Sequence, residues 1–319
     1  MRSYAMRRLL QAVPTLLIIS LVIFGILHLA PGGPLAVYAS APNVDQATLE
    51  RIEDRLGLND PVPVQYLKWL RGMVTGDWGL SYKFGRPALE VISERLRASV
   101  LLVGTSLLFS LALSVPFGLY SALAKNKITR NLTSVIAMLG VSIPTFWLGL
   151  VILLVFSAKL RLIPSGGMYT LGGPNDLGDL LAHLLPPALV LATLPIAGWS
   201  RYIRSGMLEV INQDFIRTAH SKGLSERTVI FRHALKNALL PLITLVGLQA
   251  GRLIGGAVIT EQVFAWPGVG RLLTESLVHR DYPVLMASFI MMAVLVIIGN
   301  LAADLMYALA DPRIRLEAE

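Results

Sequence analysis

The sequence predicts an all-α polytopic membrane protein, and three of its properties lead to this fold class. Hydrophobic residues make up 54% of the 319 positions and charged residues only 15%, whereas soluble domains have about a quarter of their residues charged. Six segments are apolar for about 20 residues, the length that an α-helix needs to cross a bilayer. Lys and Arg also concentrate in alternate connecting segments, as they do in membrane proteins.

Six transmembrane helices are predicted from the apolar runs. Their approximate limits are residues 9–29, 98–122, 132–158, 181–199, 238–259 and 284–309. The first run follows several cations, as a secretory signal peptide does, but it is longer than the apolar part of such a peptide. His28 also spoils a small-residue cleavage site, so we interpret the run as a retained anchor. Pro144 should kink the third helix, for packing or for gating.

The distribution of positive charge predicts that both termini are cytoplasmic. With the N-terminus inside, the cytoplasmic segments are residues 1–8, 125–131, 200–237 and 310–319. These segments hold fifteen of the chain's 28 Lys and Arg residues, as the retention of cations on the cytoplasmic side requires. The outside segment 31–97 instead balances eight basic residues against eight acidic ones. The net charge of +8 is therefore interpreted as a record of topology rather than of nucleic-acid binding.

Three regions follow from this topology. Residues 1–30 form the N-terminal tail and the first transmembrane helix, residues 31–97 an extracytoplasmic cap, and residues 98–319 a five-helix core with a cytoplasmic loop at 200–237. The cap should be helical, because "DQATLERIEDRLGL" and "VPVQYLKWLRGMV" have apolar residues at helical spacing. "RPALEVISERLRASV" then leads into the second transmembrane helix.

A basic, amphipathic helical hairpin is predicted in the loop between the fourth and fifth membrane helices, in "DFIRTAHSKGLSERTVIFRHALKNALLPLI". Asn212 or Asp214 can cap its first helix. The apolar face of this helix consists of Phe215, Ile216 and Ala219.

The turn and second helix of the hairpin are also predicted from local signals. Gly223 suits the left-handed position that follows a helix, and Leu224 is the hydrophobic residue that often comes next. Ser225 caps the second helix, with Glu226 near its positive end. The apolar positions of this helix are Val229, Ile230 and Leu235.

Three functions compete for this hairpin. A basic helix-turn-helix can bind DNA, but no linker frees this one from the flanking membrane helices. A basic amphipathic element can also lie on anionic lipid. The third function is docking of a cytoplasmic partner.

The hairpin resembles one family, the membrane-spanning subunits of bacterial ATP-binding-cassette importers. These carry an "EAA" loop, which is Glu-Ala-Ala, three residues, Gly, nine residues, then Ile-x-Leu-Pro. Here the pattern falls on Arg217, Thr218 and Ala219, then on Gly223 and His233. The Glu and the first Ala are replaced, and Leu-Pro comes five residues late, at 240–241.

The variant "RTA…KGLSE…RHALKNALLP" looks like the dipeptide, oligopeptide and nickel permease branch, as the first permease of a pair. Other stretches that resemble this branch occur in order along nearly the whole chain. They are "LAPGGP", "RLGLNDPVPVQYLKWL", "GDWGLSYKFGRP", "SIPTFWLGL", "FAWPGVGRL" and "DLMYALADPRIR".

The resemblance implies a non-catalytic permease subunit of an ATP-driven importer in the bacterial inner membrane. The chain has no G-x-x-x-x-G-K-[ST] phosphate loop, so ATP and Mg²⁺ are expected on partner subunits rather than here. No catalytic residue, bound cofactor or metal site is expected. The expected partners are a second, related permease in a heterodimer, two cytoplasmic ATP-binding subunits, an extracytoplasmic substrate-binding protein and membrane lipid, and nucleic acid is not expected.

The resemblance also implies where two partners bind. The residues expected to couple the chain to an ATPase are Phe215, Arg217, Thr218, Ala219, His220, Lys222, Gly223, Leu224, Ser225, Glu226 and Arg232. The binding protein is expected to dock on Trp266, Pro267, Gly268 and Arg271.

The substrate path is predicted from the scarcity of charge within the membrane. Arg252 lies near the middle of the fifth apolar run, and an ionisable residue at that depth is a functional candidate by default. A guanidinium facing a central cavity could meet a peptide carboxylate, or it could pair with another subunit or face water. Gln249, one turn earlier, is placed in the same path.

Di- or oligopeptides are the predicted cargo, and nickel chelates, glutathione or another small solute are the alternatives within the same importer type. An ion-coupled secondary transporter or a channel acting alone would be a different class. A secondary transporter needs intramembrane carboxylates or an inverted repeat with broken helices, and Asp304 alone is thin support. The docking hairpin argues against a channel.

Overall fold

The computed structural model describes residues 2–29, 53, 57–239, 242, 245–246 and 257–310. Within these ranges the regular structure is helical, apart from one isolated bridge between Leu80 and Pro87. The chain divides into two compact units. Unit 1 comprises Val100–Trp266 and the residues from Val296 onward, and unit 2 comprises Arg2–Ser99 and Pro267–Leu295.

The described residues form a series of helices. In chain order they are α1 (Arg2–Leu29), α2 (Val62–Thr75), α3 (Ala88–Leu123), α4 (Lys127–Ser142), α5 (Thr145–Ile152), α6 (Leu177–Ile211), α7 (Asp214–Ser221), α8 (Glu226–Thr228), α9 (Leu235–Ala238), α10 (Val269–Val278) and α11 (Tyr282–Ala310). A π-helical segment, Leu153–Lys159, continues α5, and another, Val229–Ala234, joins α8 to α9. Residues 257–263 are also helical.

Among the described residues, four helices are long and apolar enough to cross a membrane. These spans are Leu10–Leu29, Ala88–Leu123, Leu177–Val210 and Tyr282–Ala302, so the predicted first, second, fourth and sixth membrane helices are confirmed in position. The bent pair of α4 with α5 and its π-helical continuation is a fifth candidate. The predicted span 238–259 lies largely outside the described residues, so the total of six stays a prediction.

The predicted third membrane helix is broken rather than kinked. α4 and the segment Thr145–Lys159 meet at an angle of 98°. Pro144 occupies the N-cap of α5, and Ile143 before it is extended, with ψ of 121°. The single helix predicted over 132–158 was therefore wrong, although Pro144 was the right residue. Proline lacks an N–H for the helix and disfavours the α conformation of the residue before it, which together can end a helix.

Helix α6 is the centre of unit 1. The α4 and α6 backbones approach closely at Gly140, where an added Cβ would lie 2.9 Å from the Cβ of Ala197. The α3 and α6 backbones approach at Gly118, where a Cβ would lie 2.8 Å from the Cβ of Ile203. Small residues at helix contacts are typical of membrane proteins, where close backbone approach supplies much of the association energy.

Unit 2 has its own core in two adjoining clusters. The first joins α3, α10 and α11 through Ala88, Val91, Ile92, Val269, Leu272, Val284 and Ala287. The second joins α1 to α11 through Phe24, Leu27, Tyr282, Leu285 and Met286, with Tyr66 and Trp69 of α2 packed against it. The predicted helix in "VPVQYLKWLRGMV" is confirmed as α2, which ends at Gly76 in the left-handed conformation with φ of 91°.

Candidate functional site

Helix α6 carries the predicted hairpin beyond the membrane. Its 35 residues correspond to about 52 Å of helix, and the hydrocarbon core of a bilayer is only about 30 Å thick. The predicted membrane span ends at Trp199, and α6 continues beyond it to Ile211. Ile203, Met207 and Val210 explain the continuation, since they lie at helical spacing and are buried.

A tight turn joins α6 to the first hairpin helix, and its caps differ from those predicted. Asn212 caps the C-terminus of α6, and its side-chain amide donates to the carbonyl of Leu208 at 2.8 Å. Gln213 occupies the N-cap of α7 without a side-chain hydrogen bond. Asp214 is the first residue of α7, where its carboxylate favours the positive end of the helix dipole.

The end of α7 is a Schellman motif, as the sequence predicted for Gly223. Its φ is +74°, its N–H donates to the carbonyl of His220 at 2.9 Å, and the N–H of Leu224 donates to the carbonyl of Ala219 at 3.4 Å. These two bonds satisfy carbonyls that the helix end leaves unpaired. Glycine adopts this left-handed conformation without a Cβ clash, so the chain reverses sharply here.

The second half of the hairpin is helical from Glu226 to Ala238. Ser225 caps it, as predicted, and accepts a hydrogen bond from the backbone N–H of Thr228 at 3.4 Å. The middle of this half, Val229–Ala234, is π-helical rather than α-helical. Short π-helical segments are rare and occur frequently at functional sites.

One face of the hairpin is fixed to α6. Its buried side chains join one cluster with those of α6, and the members are Leu119, Trp199, Ile203, Met207, Val210, Ile216, Ala219, Val229, Ala234, Ala238 and Leu242. Gly206 of α6 allows the closest approach, because a Cβ there would lie 3.2 Å from the carbonyl oxygen of Ala238. The hairpin therefore forms one packed body with the end of α6.

The other face of the hairpin is exposed and carries both apolar and cationic side chains. Phe215, Leu224 and Phe231 are 39%, 38% and 54% exposed. Of the predicted apolar face of α7, Ile216 and Ala219 are buried, whereas Phe215 is exposed. The other predicted coupling residues that are exposed are Arg217, Thr218, His220, Lys222, Gly223, Ser225, Glu226 and Arg232.

Charges on this face are largely available to solvent or a partner. Arg217 lies 3.5 Å from Asp214, but the two side chains are 80% and 94% exposed, so the pair contributes little to stability. Exposed phenylalanines among exposed cations are unusual for a surface that faces only water. Large apolar side chains of this kind often mark sites of protein association.

The two other predicted sites are the substrate path and the segment for docking of the binding protein. Gln249 and Arg252 lie outside the described residues. Trp266 is completely buried, and Gly268 is buried as well. The indole of Trp266 therefore presents no surface to a binding protein, which corrects the prediction that this side chain takes part in docking. Pro267 and Arg271 are half-buried, and the guanidinium of Arg271 lies 3.0 Å from the Glu275 carboxylate.

A groove between α4 and α6 was missed by sequence reasoning. It is lined by Ser134, Met138, Gly198, Arg201, Tyr202, Arg204, Ser205 and Leu208. Arg201 and Arg204 were interpreted only as topology signals. The α6 residues that line the groove are spaced so that they lie on one side of a helix, and this spacing is the sequence signal that could have indicated the groove. Within the described part of the chain, no group of three or more His, Asp or Glu is placed to hold a metal ion.

Comparison with known proteins is consistent with the hairpin and the apolar helices. Residues 114–316 match the family described as "Binding-protein-dependent transport system inner membrane component". Residues 1–103 match the family of the N-terminal part of such membrane components.

Several curated proteins are similar over essentially their full length. The oligopeptide transport system permease protein AppB of Bacillus subtilis is 46% identical, over 98% of this chain and 99% of its own. The dipeptide transport system permease protein DppB of Escherichia coli is 36% identical over 99% of each. The glutathione transport system permease protein GsiC of E. coli is 36% identical over the same shares.

A solved structure shares the fold. An inward-facing conformation of the MetNI methionine ABC transporter aligns with a TM-score of 0.56 at 17% identity, over 70% of this chain and 97% of the compared chain. At this identity the likeness concerns the fold alone. It supports the all-α membrane architecture that the sequence predicts.

Proposed function

Because this chain belongs to the family of binding-protein-dependent transport system inner membrane components, we propose that it is a permease subunit of an ATP-driven importer. It would form half of a translocation path for di- or oligopeptides. The cargo is supported by the names of the relatives, since the B. subtilis and E. coli proteins are permeases for oligopeptides and dipeptides.

The observation that carries the proposal is the two-faced hairpin at the end of α6. Its inner face is buried against α6, whereas its outer face presents Phe215, Leu224 and Phe231 with several cations. An apolar outer face on a basic loop is what a cytoplasmic partner with an apolar groove and an acidic rim would recognise. The proposed partner is the ATP-binding subunit of the importer.

Coupling in this proposal is mechanical. The hairpin and the end of α6 share one core, and Gly206 lets their backbones meet without an intervening side chain. A force applied to the hairpin is therefore transmitted to α6 rather than absorbed by a flexible loop. Closure of two ATP-binding subunits would move α6 as a rigid body, which is a common basis of domain switching.

The remaining subunits belong to the same proposal. ATP and Mg²⁺ would be bound by two cytoplasmic ATP-binding subunits, and a second permease would complete the path as a heterodimer. An extracytoplasmic binding protein would deliver the peptide, with Pro267 and Arg271 as the accessible residues of the predicted docking segment. Both termini would be cytoplasmic. This chain would perform no catalysis.

A second cargo has its own support. The E. coli glutathione permease is as similar to this chain, at 36% identity, as the E. coli dipeptide permease is. Glutathione is itself a small peptide, so the two cargoes share an amide backbone and free carboxylates. Nickel chelates or another small solute remain alternatives within the same importer type.

The test is co-purification of the subunits. The chain would be expressed from its native operon with an affinity tag, extracted in mild detergent, and its partners identified by mass spectrometry. Phe231→Ser removes an exposed apolar side chain from the hairpin. Phe84→Ser is the control, since Phe84 is an exposed phenylalanine of unit 2.

The expected result is recovery of a second permease and ATP-binding subunits with the natural chain and with Phe84→Ser. With Phe231→Ser, the ATP-binding subunits should be selectively lost while the second permease is retained. A chain that purifies alone and transports or conducts without ATP in liposomes would overturn the proposal. Equal recovery of the ATP-binding subunits with both variants would show that the hairpin is not where they dock.

A further inference from the structure

We propose that the groove between α4 and α6 binds the headgroup of an anionic phospholipid. The groove has a volume of about 690 Å³, and Arg201 and Arg204 contribute its charge. This inference does not depend on the transported cargo or on the proposed coupling. It concerns a site on the membrane-embedded surface of unit 1.

The lining of the groove is chemically suited to a phosphate. The described residues that line it supply two guanidinium groups and three hydroxyls, from Ser134, Tyr202 and Ser205, and no carboxylate. The guanidinium of Arg204 donates a hydrogen bond to the hydroxyl of Ser134, which fixes its position across the two helices. Guanidinium groups bind phosphate oxygens with two parallel hydrogen bonds.

Arg201 is available for such a bond. Its side chain is exposed, and it forms no hydrogen bond or ion pair with any residue that the structure describes. It lies one helical turn before Arg204. The two cations therefore project from one side of α6, one already positioned by α4 and the other open to a ligand.

The depth of the groove matches the membrane surface. Asp179 is the last acidic residue before the apolar part of α6, and Arg201 is the first basic residue after it. Arg201 comes 22 positions after Asp179, which corresponds to about 33 Å of helix, close to the roughly 30 Å of bilayer hydrocarbon. Tyr202 follows Arg201, and tyrosine is enriched at this boundary.

The side of the membrane also fits an anionic lipid. Helix α4 begins at Lys127, and Arg130 follows one turn later, before the part of this helix that lines the groove. Clusters of cations favour the cytoplasmic side. Anionic lipids of the inner leaflet are attracted there, and basic pockets between transmembrane helices bind their headgroups.

Apolar side chains explain why the occupant should be a lipid rather than a free anion. Met138 of α4 lines the groove and is 61% exposed. On α4, Val135 and Leu139 extend this apolar surface. A phospholipid satisfies both parts, because its phosphate meets the arginines while its acyl chains cover the apolar side chains.

The experiment is lipid titration of the full-length chain with its co-purifying subunits, followed by native mass spectrometry. Phosphatidylglycerol and phosphatidylcholine with identical acyl chains are compared. Arg201→Gln removes the open cation without touching the Arg204 to Ser134 bond. Lys125→Gln removes an exposed cation of the neighbouring loop that does not line the groove, and Arg201→Lys restores the charge.

The expected result is a phosphatidylglycerol adduct that Arg201→Gln weakens about fivefold, the effect of one cation near an anionic surface. Lys125→Gln should leave the adduct unchanged, and Arg201→Lys should recover most of it. Equal weakening by Arg201→Gln and Lys125→Gln would overturn the site. Equal binding of phosphatidylcholine, or displacement of the lipid by an equal concentration of inorganic phosphate, would overturn the lipid as its occupant.

Discussion

The hydroxyl of Ser81 donates a hydrogen bond to the carboxylate of Asp281, which lies 200 positions later in the chain. Asp281 is completely buried and also accepts from the backbone N–H groups of Tyr82 and Lys83, at 3.1 and 3.3 Å. One side chain therefore ties the loop before α3 to the beginning of α11, and both belong to unit 2.

Replacing Asp281 with Ala should lower the free energy of unfolding by about 3 kcal/mol, because it leaves the buried Ser81 hydroxyl and two partly buried backbone N–H groups without an acceptor. Thermal unfolding of the detergent-solubilised chain would show the loss as a lower Tm. Glu90→Ala is the control, since this glutamate forms an exposed pair with Arg86 and should change the Tm little. Equal Tm values for the two variants would show that the buried bonds contribute nothing.

Gly118→Ala should destabilise unit 1. The new methyl group would lie 2.8 Å from both the Cβ of Ile203 and the carbonyl oxygen of Ser200, so α3 and α6 would have to separate. Overpacking of this kind costs about 1 to 3 kcal/mol. Gly104→Ala, on the same helix with nothing within 4 Å of the new Cβ, should not lower the Tm. A similar Tm for both variants would contradict the close approach at Gly118.

Ser225→Ala should loosen the second half of the hairpin. Loss of an N-cap typically costs about 1 kcal/mol, which hydrogen-deuterium exchange would detect as faster exchange of the amides from Glu226 onward. Ser221→Ala is matched in chemistry, because among the described residues the Ser221 hydroxyl bonds to the carbonyl of Arg217 within α7 and to no other group. That change should leave exchange the same or slow it, since alanine is the better helix former. Faster exchange in both variants would deny Ser225 a specific role.

Gly223→Val should strain the turn of the hairpin although no atom obstructs the new side chain. A Cβ at this position meets nothing within 4 Å, but φ of +74° disfavours any residue other than glycine. The cost should be about 1 to 2 kcal/mol, seen as faster amide exchange over α7. Gly223→Asn should cost less, because asparagine tolerates this conformation. An equal effect of Val and Asn would mean that the conformation is not the cause.

Local features of the hairpin could be predicted from the sequence because local signals determine them. Ser225 and Gly223 act on neighbouring backbone groups, so a few residues of sequence contain the whole interaction. The apolar spans could be predicted for a similar reason, since hydropathy and length decide them.

The features that escaped prediction depend on packing between distant segments. Arg201 and Arg204 are the first cations after the apolar part of α6. They do not end this helix, because Ile203 and Met207 beyond Arg201 remain buried. Pro144 indicated a distortion, but the angle of 98° is set by what α4 and α5 each pack against. The burial of Trp266 is likewise not evident from the short motif that contains it.

The length of α6 also determines how far its ends move when the helix tilts. One uninterrupted helix contains both the membrane span and the surface on which the hairpin packs. A small rotation at one end therefore becomes a large displacement at the other. For a rod of about 52 Å, a tilt of about 10° moves the far end by roughly 9 Å. Conversely, a displacement of roughly 9 Å at the cytoplasmic end of α6 corresponds to a tilt of only about 10° within the bilayer.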